Sequence, residues 1–205
     1  MQFLRLFMEG LDAISYWHRS GRYIPGILPV PTHIIASNEY VDAMSDLILN
    51  SRLPVGLLAI GFQSIPENNL MSAHKEGLQR MRRLGALTHF LNFLGGIEQM
   101  RWIEEMQIEG VHIDMSLLRK ENVSLDALHQ MRRPRYSTTQ IYASNIALVK
   151  DLENAAAWEI DHCYGGLMMS PLSRHQTLQI NDSRIAKAIF SLHPHQHPNQ
   201  NGDKQ

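Results

Sequence analysis

Residues 85–115 read GALTHFLNFLGGIEQMRWIEEMQIEGVHIDM, and this stretch decides the class of fold. Leu87–Phe93 is a short run whose apolar residues Leu87, Phe90, Leu91 and Phe93 are interrupted by Thr88, His89 and Asn92, Gly95-Gly96 supplies a turn, and Ile97–Met106 has helical period. Gly110–Met115 is a second short, mostly apolar run. Strand, helix and strand in this order make a βαβ unit, whose two strands run parallel. Such strands are covered on both faces, which accounts for their lack of polar alternation.

The same alternation extends outward. Gly56–Phe62 (GLLAIGF) reads as another strand buried on both faces. Ser64-Ile-Pro-Glu67 has the form of a capping box, opening a helix that runs to about Leu84 and stops at Gly85. Asn38–Asn50 reads as a helix with a stripe of Tyr40, Val41, Met44, Leu47 and Ile48. Phe3–Phe7 and Leu11–Trp17 read as the first two strands. Towards the C-terminus, Ser124 caps a short helix that ends before Pro134, Gln140–Ala143 is a strand and Leu148–Ile160 a helix. A last strand is expected over Tyr164–Pro171, and a terminal helix over Arg184–Leu192. Strands alternating with helices give a (β/α) barrel or a doubly wound sheet. The sequence has no glycine-rich phosphate loop, which weakens the second option.

Composition narrows the function classes. With 44% hydrophobic and 19% charged residues, the 205-residue chain can build one sizeable core. A net charge of −1 supplies no global field for nucleic acid or an anionic membrane. The single cysteine, Cys163, fits a reducing compartment, and no apolar run approaches the length of a membrane span. No signal region is evident at the start, so the expected setting is cytoplasmic. Residues 1–192 form the expected domain. Residues 193–205 (HPHQHPNQNGDKQ) form a polar tail too poor in apolar groups to order itself.

The motifs, in order along the chain, resemble those of the EAL domain, the cyclic-di-GMP phosphodiesterase family. Asp12-Ala13-Ile14 followed by Tyr16 and Trp17 is similar to the signature Glu-Ala-Leu-x-Arg-Trp. Arg83-Leu84-Gly85 before Phe90-Leu91-Asn92-Phe93-Leu94-Gly95-Gly96 resembles Leu-Gly…Asp-Asp-Phe-Gly-Thr-Gly. His112-Ile113-Asp114 follows at the family's spacing for Lys-Ile-Asp. Ile141–Ile146 stands where the family has Ala-Glu-Gly-Val-Glu, and Cys163-Tyr164-Gly165-Gly166 with Pro171 resembles the closing Gln-Gly-Tyr…Pro. The resemblance implies an α/β fold, a modified, shortened TIM-like (β/α) barrel of EAL type. It also implies an active site at the C-terminal strand ends, where the family uses two Mg²⁺ or Mn²⁺ ions.

At those positions most of the acids are gone. Asp12 takes the signature glutamate's place, and Tyr16 that of the phosphate-binding arginine. Leu91 and Asn92 replace the paired aspartates, His112 the lysine, Ser144 a glutamate and Tyr164 a glutamine. The strand at Gly56–Phe62 carries no acid, and the family's metal-binding asparagine has no clear counterpart, with Ile35 the nearest position. Two-metal hydrolysis needs several carboxylates, so neither a catalytic residue, a metal nor a cofactor is expected. Asp12, Tyr16, Asn92, His112, Ser144 and Tyr164 make up the vestigial mouth where any remaining ligand would bind.

Other features have plain readings. His112, His89 and His33 read as hydrogen-bonded barrel histidines. Cys163 beside His162 reads as a structural thiol, because adjacent strand residues face opposite ways. The clusters Arg80–Arg83 and Arg132–Arg135 read as solvated helix ends, which argues against nucleic acid. Eleven methionines fill a core or supply an adaptable binding surface. The expected function is therefore a non-catalytic EAL-like regulatory domain that works through a protein partner in signalling linked to cyclic-di-GMP. The resemblance makes a homodimer one expected arrangement, and cyclic-di-GMP affinity weak or absent. The alternatives are a cyclic-di-GMP receptor with weak binding and a weakly active phosphodiesterase.

Overall fold

In the computed structural model, residues 2–66, 70–118, 129–131 and 138–180 are described. Six strands form one parallel sheet in sequence order: β1 (Gly26–Pro29), β2 (Leu58–Phe62), β3 (Leu87–Phe90), β4 (Gly110–Asp114), β5 (Gln140–Ser144) and β6 (His162–Cys163). The sheet curls into a half-barrel, and β1 and β6 are not paired with each other among the described residues. The helices are α1 (Gln2–Arg19), α2 (Thr32–Ile35), α3 (Asn38–Ser51), α4 (Met71–Arg83) and α5 (Ile97–Met106), followed by α6 (Met115–Leu118), α7 (Val149–Ala157) and α8 (Arg174–Thr177). The shortened (β/α) barrel expected from the sequence is the fold observed.

The register sorts every strand residue onto one of two faces. Leu58, Ile60 and Phe62 share the outer face with Thr88, Phe90, Val111, Ile113, Ile141 and Ala143. All of these are buried, and Phe62 and Phe90 pack against Trp102 of α5 at ring-centre distances of 5.0 and 5.6 Å. The inner face carries Gly61, His89, Gly110, His112, Asp114, Tyr142, Ser144 and His162. The core thus lies between sheet and helices, and the polar residues gather on the concave side.

The N-terminus differs from the sequence expectation. Phe3–Phe7 and Leu11–Trp17 are not strands but parts of the 18-residue helix α1. Phe7, Leu11 and Ile14 recur at helical spacing and are buried against the sheet and α3, a stripe that two short strands could not form. Gly10 allows this packing, because a Cβ there would stand 2.4 Å from Leu28 Cδ2 of β1. At its far end α1 is clasped by α8: Trp17 Nε1 donates to the Arg174 carbonyl at 2.9 Å.

Two further expectations are corrected. Ser64 does not open α4, which starts at Met71; its hydroxyl instead meets Thr32 Oγ1 at 2.9 Å. The last strand is the two-residue β6, and Tyr164 begins the turn after it, since the glycine pair and Pro171 do not continue the ladder. α3 and α5 match their expected bounds closely, and β3 stops three residues earlier than expected. The expected helices after Ser124 and over Arg184–Leu192, and the tail from residue 193, lie outside the described residues.

Candidate functional site at the barrel mouth

The C-terminal strand ends define the mouth. Proceeding round the half-barrel they present Pro29, Gln63, Leu91 with Asn92, Asp114, Ser144 with Asn145, and Tyr164. Below the last three, the inner face is a stack of rings. Register pairs His112 with Tyr142 and Tyr142 with His162. Tyr142 lies between the two imidazoles, 4.5 Å from His112 at 10° and 4.6 Å from His162 at 23°. His89 of β3 joins from the other side, its Nδ1 2.9 Å from His112 Nε2. It fits because Gly110 stands opposite, where a Cβ would come within 2.6 Å of the imidazole.

His112 Nδ1 in turn lies 2.9 Å from the Tyr164 hydroxyl. A continuous chain therefore runs from half-exposed Tyr164 through His112 to buried His89. Burial pushes His112 down to about 3, with the neighbouring His89 and His162 adding to the effect. Burial likewise pushes His89 down to about 4, against the opposing pull of Glu109. Both imidazoles are neutral at pH 7, so in each contact one nitrogen donates and the other group accepts. Burial raises the Tyr164 phenol, a hydrogen bond with Ser144 opposes this, and the charge of Asp114 adds to the rise.

Asp114 is the one carboxylate at these strand ends among the described residues. Its Oδ1 accepts the Ser116 amide at 2.7 Å, which caps α6, and its Oδ2 accepts Asn145 Nδ2 at 2.8 Å. Burial works to raise its pKa, but hydrogen bonds from Ser116, Asn145 and Leu117 outweigh it and leave the pKa below normal.

The mouth expected from sequence is only partly assembled. His112, Ser144 and Tyr164 meet as described, and Ser144 Oγ also donates to the Ile113 carbonyl at 3.2 Å. Asn92 stands at the end of β3 with a left-handed φ of 58°, and no hydrogen bond ties it to the other three among the described residues. Asp12 is exposed in the middle of α1, so it does not lie at a strand end. Tyr16 lies at the end of α1 that leads into β1, remote from the mouth. Its hydroxyl meets His175 Nδ1 at 2.9 Å, and the Arg174 guanidinium covers its ring at 4.7 Å. Ile35 is fully buried in α2. The ring stack was not foreseen as a unit. Its signal in the sequence is the period-two spacing His112–Asp114, Tyr142–Ser144 and His162–Tyr164, which aligns only once register is known.

The reading of Cys163 fits its surroundings, whereas the reading of Arg80–Arg83 as solvated helix ends is corrected at Arg82, whose side chain is mostly buried. Cys163 is half-buried on the outer face with its thiol pKa raised by burial. Arg80 pairs with Asp42 at 2.5 Å, and Arg82 binds Glu109, the Thr88 hydroxyl and the carbonyls of Met106 and Gln107. Arg132–Arg135 lie outside the described residues. No described helix is long and apolar enough to cross a membrane.

A curled parallel sheet with helices outside and a polar inner face defines a (β/α) barrel with its functional end at the strand C-termini. Solved structures narrow this to the EAL-domain fold. The EAL domain of Mycobacterium smegmatis DcpA superposes with a TM-score of 0.70 at 13% identity, over 89% of this chain and 82% of that one. The PaMucR phosphodiesterase in complex with c-di-GMP gives 0.70 at 14% identity, over 83% of this chain and 71% of that one. An EAL domain protein from Listeria monocytogenes EGD-e gives 0.66 at 18% identity, over 82% of this chain and 68% of that one. No family model and no curated protein matches by sequence.

The fold implies a pair of hard cations, and the residues present do not fit them. Among the described residues the strand ends carry Pro29, Gln63, Leu91, Asn92, Ser144, Asn145 and Tyr164, all neutral, and the single carboxylate, Asp114, already caps a helix and holds Asn145. Among the described residues no three His, Cys, Asp or Glu side chains are grouped to hold a metal ion.

Proposed function

We propose that the chain is a non-catalytic EAL-like domain that works through protein contacts at its barrel mouth, in signalling linked to cyclic-di-GMP. The observation that carries this reading is the character of the rim. Leu94 and Ile97 follow β3, Leu148 and Val149 follow β5, and Tyr164 follows β6, and all five are exposed. Ile97 is 88% exposed and Leu148 52%. Isolated exposed apolar residues are ordinary, but these five lie in the loops and first helical residues that follow the strands at one end. Leu148 sits at the N-cap of α7, where a polar residue is strongly preferred.

The link to cyclic-di-GMP rests on the fold and on the PaMucR complex among its structural neighbours. With no charge-bearing phosphate ligand in place of the arginine and with one engaged carboxylate, the mouth favours a protein over the dinucleotide. The test is affinity capture from the source cells with the wild-type chain and with Ile97→Glu/Leu148→Glu. A partner retained by the first and lost by the folded second supports the reading. An identical set of captured proteins from both would refute it.

A further inference from the structure

The flank of α1 and β1 on the open side of the half-barrel has no cover among the described residues. No residue of β1 is buried and Pro29 is exposed, whereas β2 beside it is buried at all five positions. α1 runs antiparallel to β1, since a Cβ on Gly10 would meet Leu28 and one on Gly26 would meet Ile14. Leu6, Gly10, Ala13 and Trp17 recur at helical spacing beside the buried stripe of α1, and none of the four is buried. Leu6 is 60% exposed and, with Phe3 and Pro29, borders an open cavity of about 640 Å³. Gly26 and Val30 donate their amides to β2, so Ile27 between them directs its own amide to the unpaired edge.

The chain itself returns to this flank. Trp17 Nε1 donates to the Arg174 carbonyl, the Tyr16 hydroxyl meets His175, and the Arg22 guanidinium donates to the Ile180 carbonyl. Ile180 is thereby pinned to the loop that leads into β1, at the Trp17 end of the stripe. Residues 181–205 continue from that point and lie outside the described residues. In their sequence Ile185, Ala188, Ile189 and Leu192 stand at i, i+3, i+4 and i+7, with Arg184, Lys187 and Ser191 at the complementary positions.

We propose that residues 184–192 dock as an amphipathic helix on the Leu6–Trp17 stripe, antiparallel to α1, so that the chain covers its own open flank. The reach fits. Three extended residues, 181–183, supply about 10 Å, and nine helical residues supply about 14 Å. The stripe from Trp17 to Leu6 is about 17 Å long. A helix of this length is marginal alone in water, so an apolar surface at the point where the chain arrives is what it needs to form. Docked there, the segment shields the edge of β1, whose unpaired backbone is otherwise a template for another chain.

The test places a nitroxide on the polar side of the segment, at Ser191→Cys in the ¹⁵N-labelled full chain, with Cys163→Ser removing the single native thiol. The amides of Leu6, Gly10 and Leu28 are expected to lose most of their signal. Those of α5, on the opposite wall of the half-barrel, are expected to keep theirs. Ile189→Glu should restore the lost signals and leave the rest of the spectrum unchanged. In a mixture where only the unlabelled chain carries ¹⁵N, no loss is expected. Loss in that mixture would overturn the proposal by giving the flank to a second copy. No loss at Leu6, Gly10 and Leu28, or equal loss in α5, would overturn it by showing that the segment has no fixed place there. Loss that survives Ile189→Glu would overturn it by removing the apolar stripe as the cause. The rim residues Ile97 and Leu148 play no part in this test, so its failure would leave the partner reading standing.

Discussion

Lowering the pH from 7.5 to 5.5 should remove about 4 kcal/mol of stability through three buried histidines. His74, His89 and His112 are each no more than 3% exposed, and burial pushes them down to about 4, 4 and 3. In the unfolded chain each titrates near 6.5. A base with a depressed folded pKa is neutral when native and takes up its proton only on unfolding. Its contribution is therefore complete above 6.5, falls as pH drops below that value, and levels off below the folded pKa. At pH 5.5 the linkage relation gives about 1.4 kcal/mol for each histidine. Against a typical total of 5–15 kcal/mol, that loss is large. Asp114 does not confuse this window, because its lowered carboxylate pKa costs stability only at more acid pH.

Urea unfolding followed by tryptophan fluorescence reads the effect directly. With m of about 1–3 kcal/mol per molar, the midpoint should fall by more than about 1 M between the two pH values. His74→Leu isolates one third of it. His74 packs between Phe62 and Trp102 with neither ring nitrogen hydrogen-bonded, so leucine there removes a buried, unpaired polar group. The variant should be at least as stable as wild type at pH 7.5 and should lose about 1.4 kcal/mol less at pH 5.5. A midpoint unchanged between the two pH values would refute the reasoning that these rings are neutral and desolvated.

Three substitutions probe the frame that carries the mouth. Arg82→Met removes the donor to Glu109 Oε1 and to the Met106 and Gln107 carbonyls at the end of α5, and should cost about 2–4 kcal/mol in thermal or urea unfolding. Gly77→Ala places a Cβ 2.0 Å from the Ile35 carbonyl oxygen, so α4 must part from α2 at about 1–3 kcal/mol, read from the same curves. Asp114→Ala removes the α6 cap and the Asn145 contact and should cost about 1 kcal/mol. A larger loss on adding EDTA to wild type than to Asp114→Ala would show a metal role that the geometry does not support.

The middle of the chain is legible from sequence because its elements are determined locally. GLLAIGF and GVHIDM are too short to be surface helices, and the Gly95-Gly96 turn marks where α5 begins. α1 misleads because its stripe of Phe3, Phe7, Leu11 and Ile14 is interrupted by Gly10, which suggests two short runs. Its reason for being there, close approach to Leu28, is a tertiary fact. With α1 a helix, Asp12 and Tyr16 leave the mouth and take with them the match to the family's first motif. The ring stack is hidden for a different reason. His89, His112, Tyr142 and His162 lie in four separate strands, and only the pairings His89 to Gly110 and His112 to Tyr142 to His162 bring them together. Each residue alone reads as an ordinary core histidine or tyrosine.

Calorimetric titration of the wild-type chain with cyclic-di-GMP in the presence of Mg²⁺ or Mn²⁺, with the mixture assayed for linear product, tests the central claim. Neither binding heat nor linear product is expected, because the described strand ends offer one carboxylate and that one is already engaged. Saturable heat without product would contradict the account in favour of a receptor. Metal-dependent product would contradict it outright, by showing that hydrolysis proceeds without the carboxylates argued to be required.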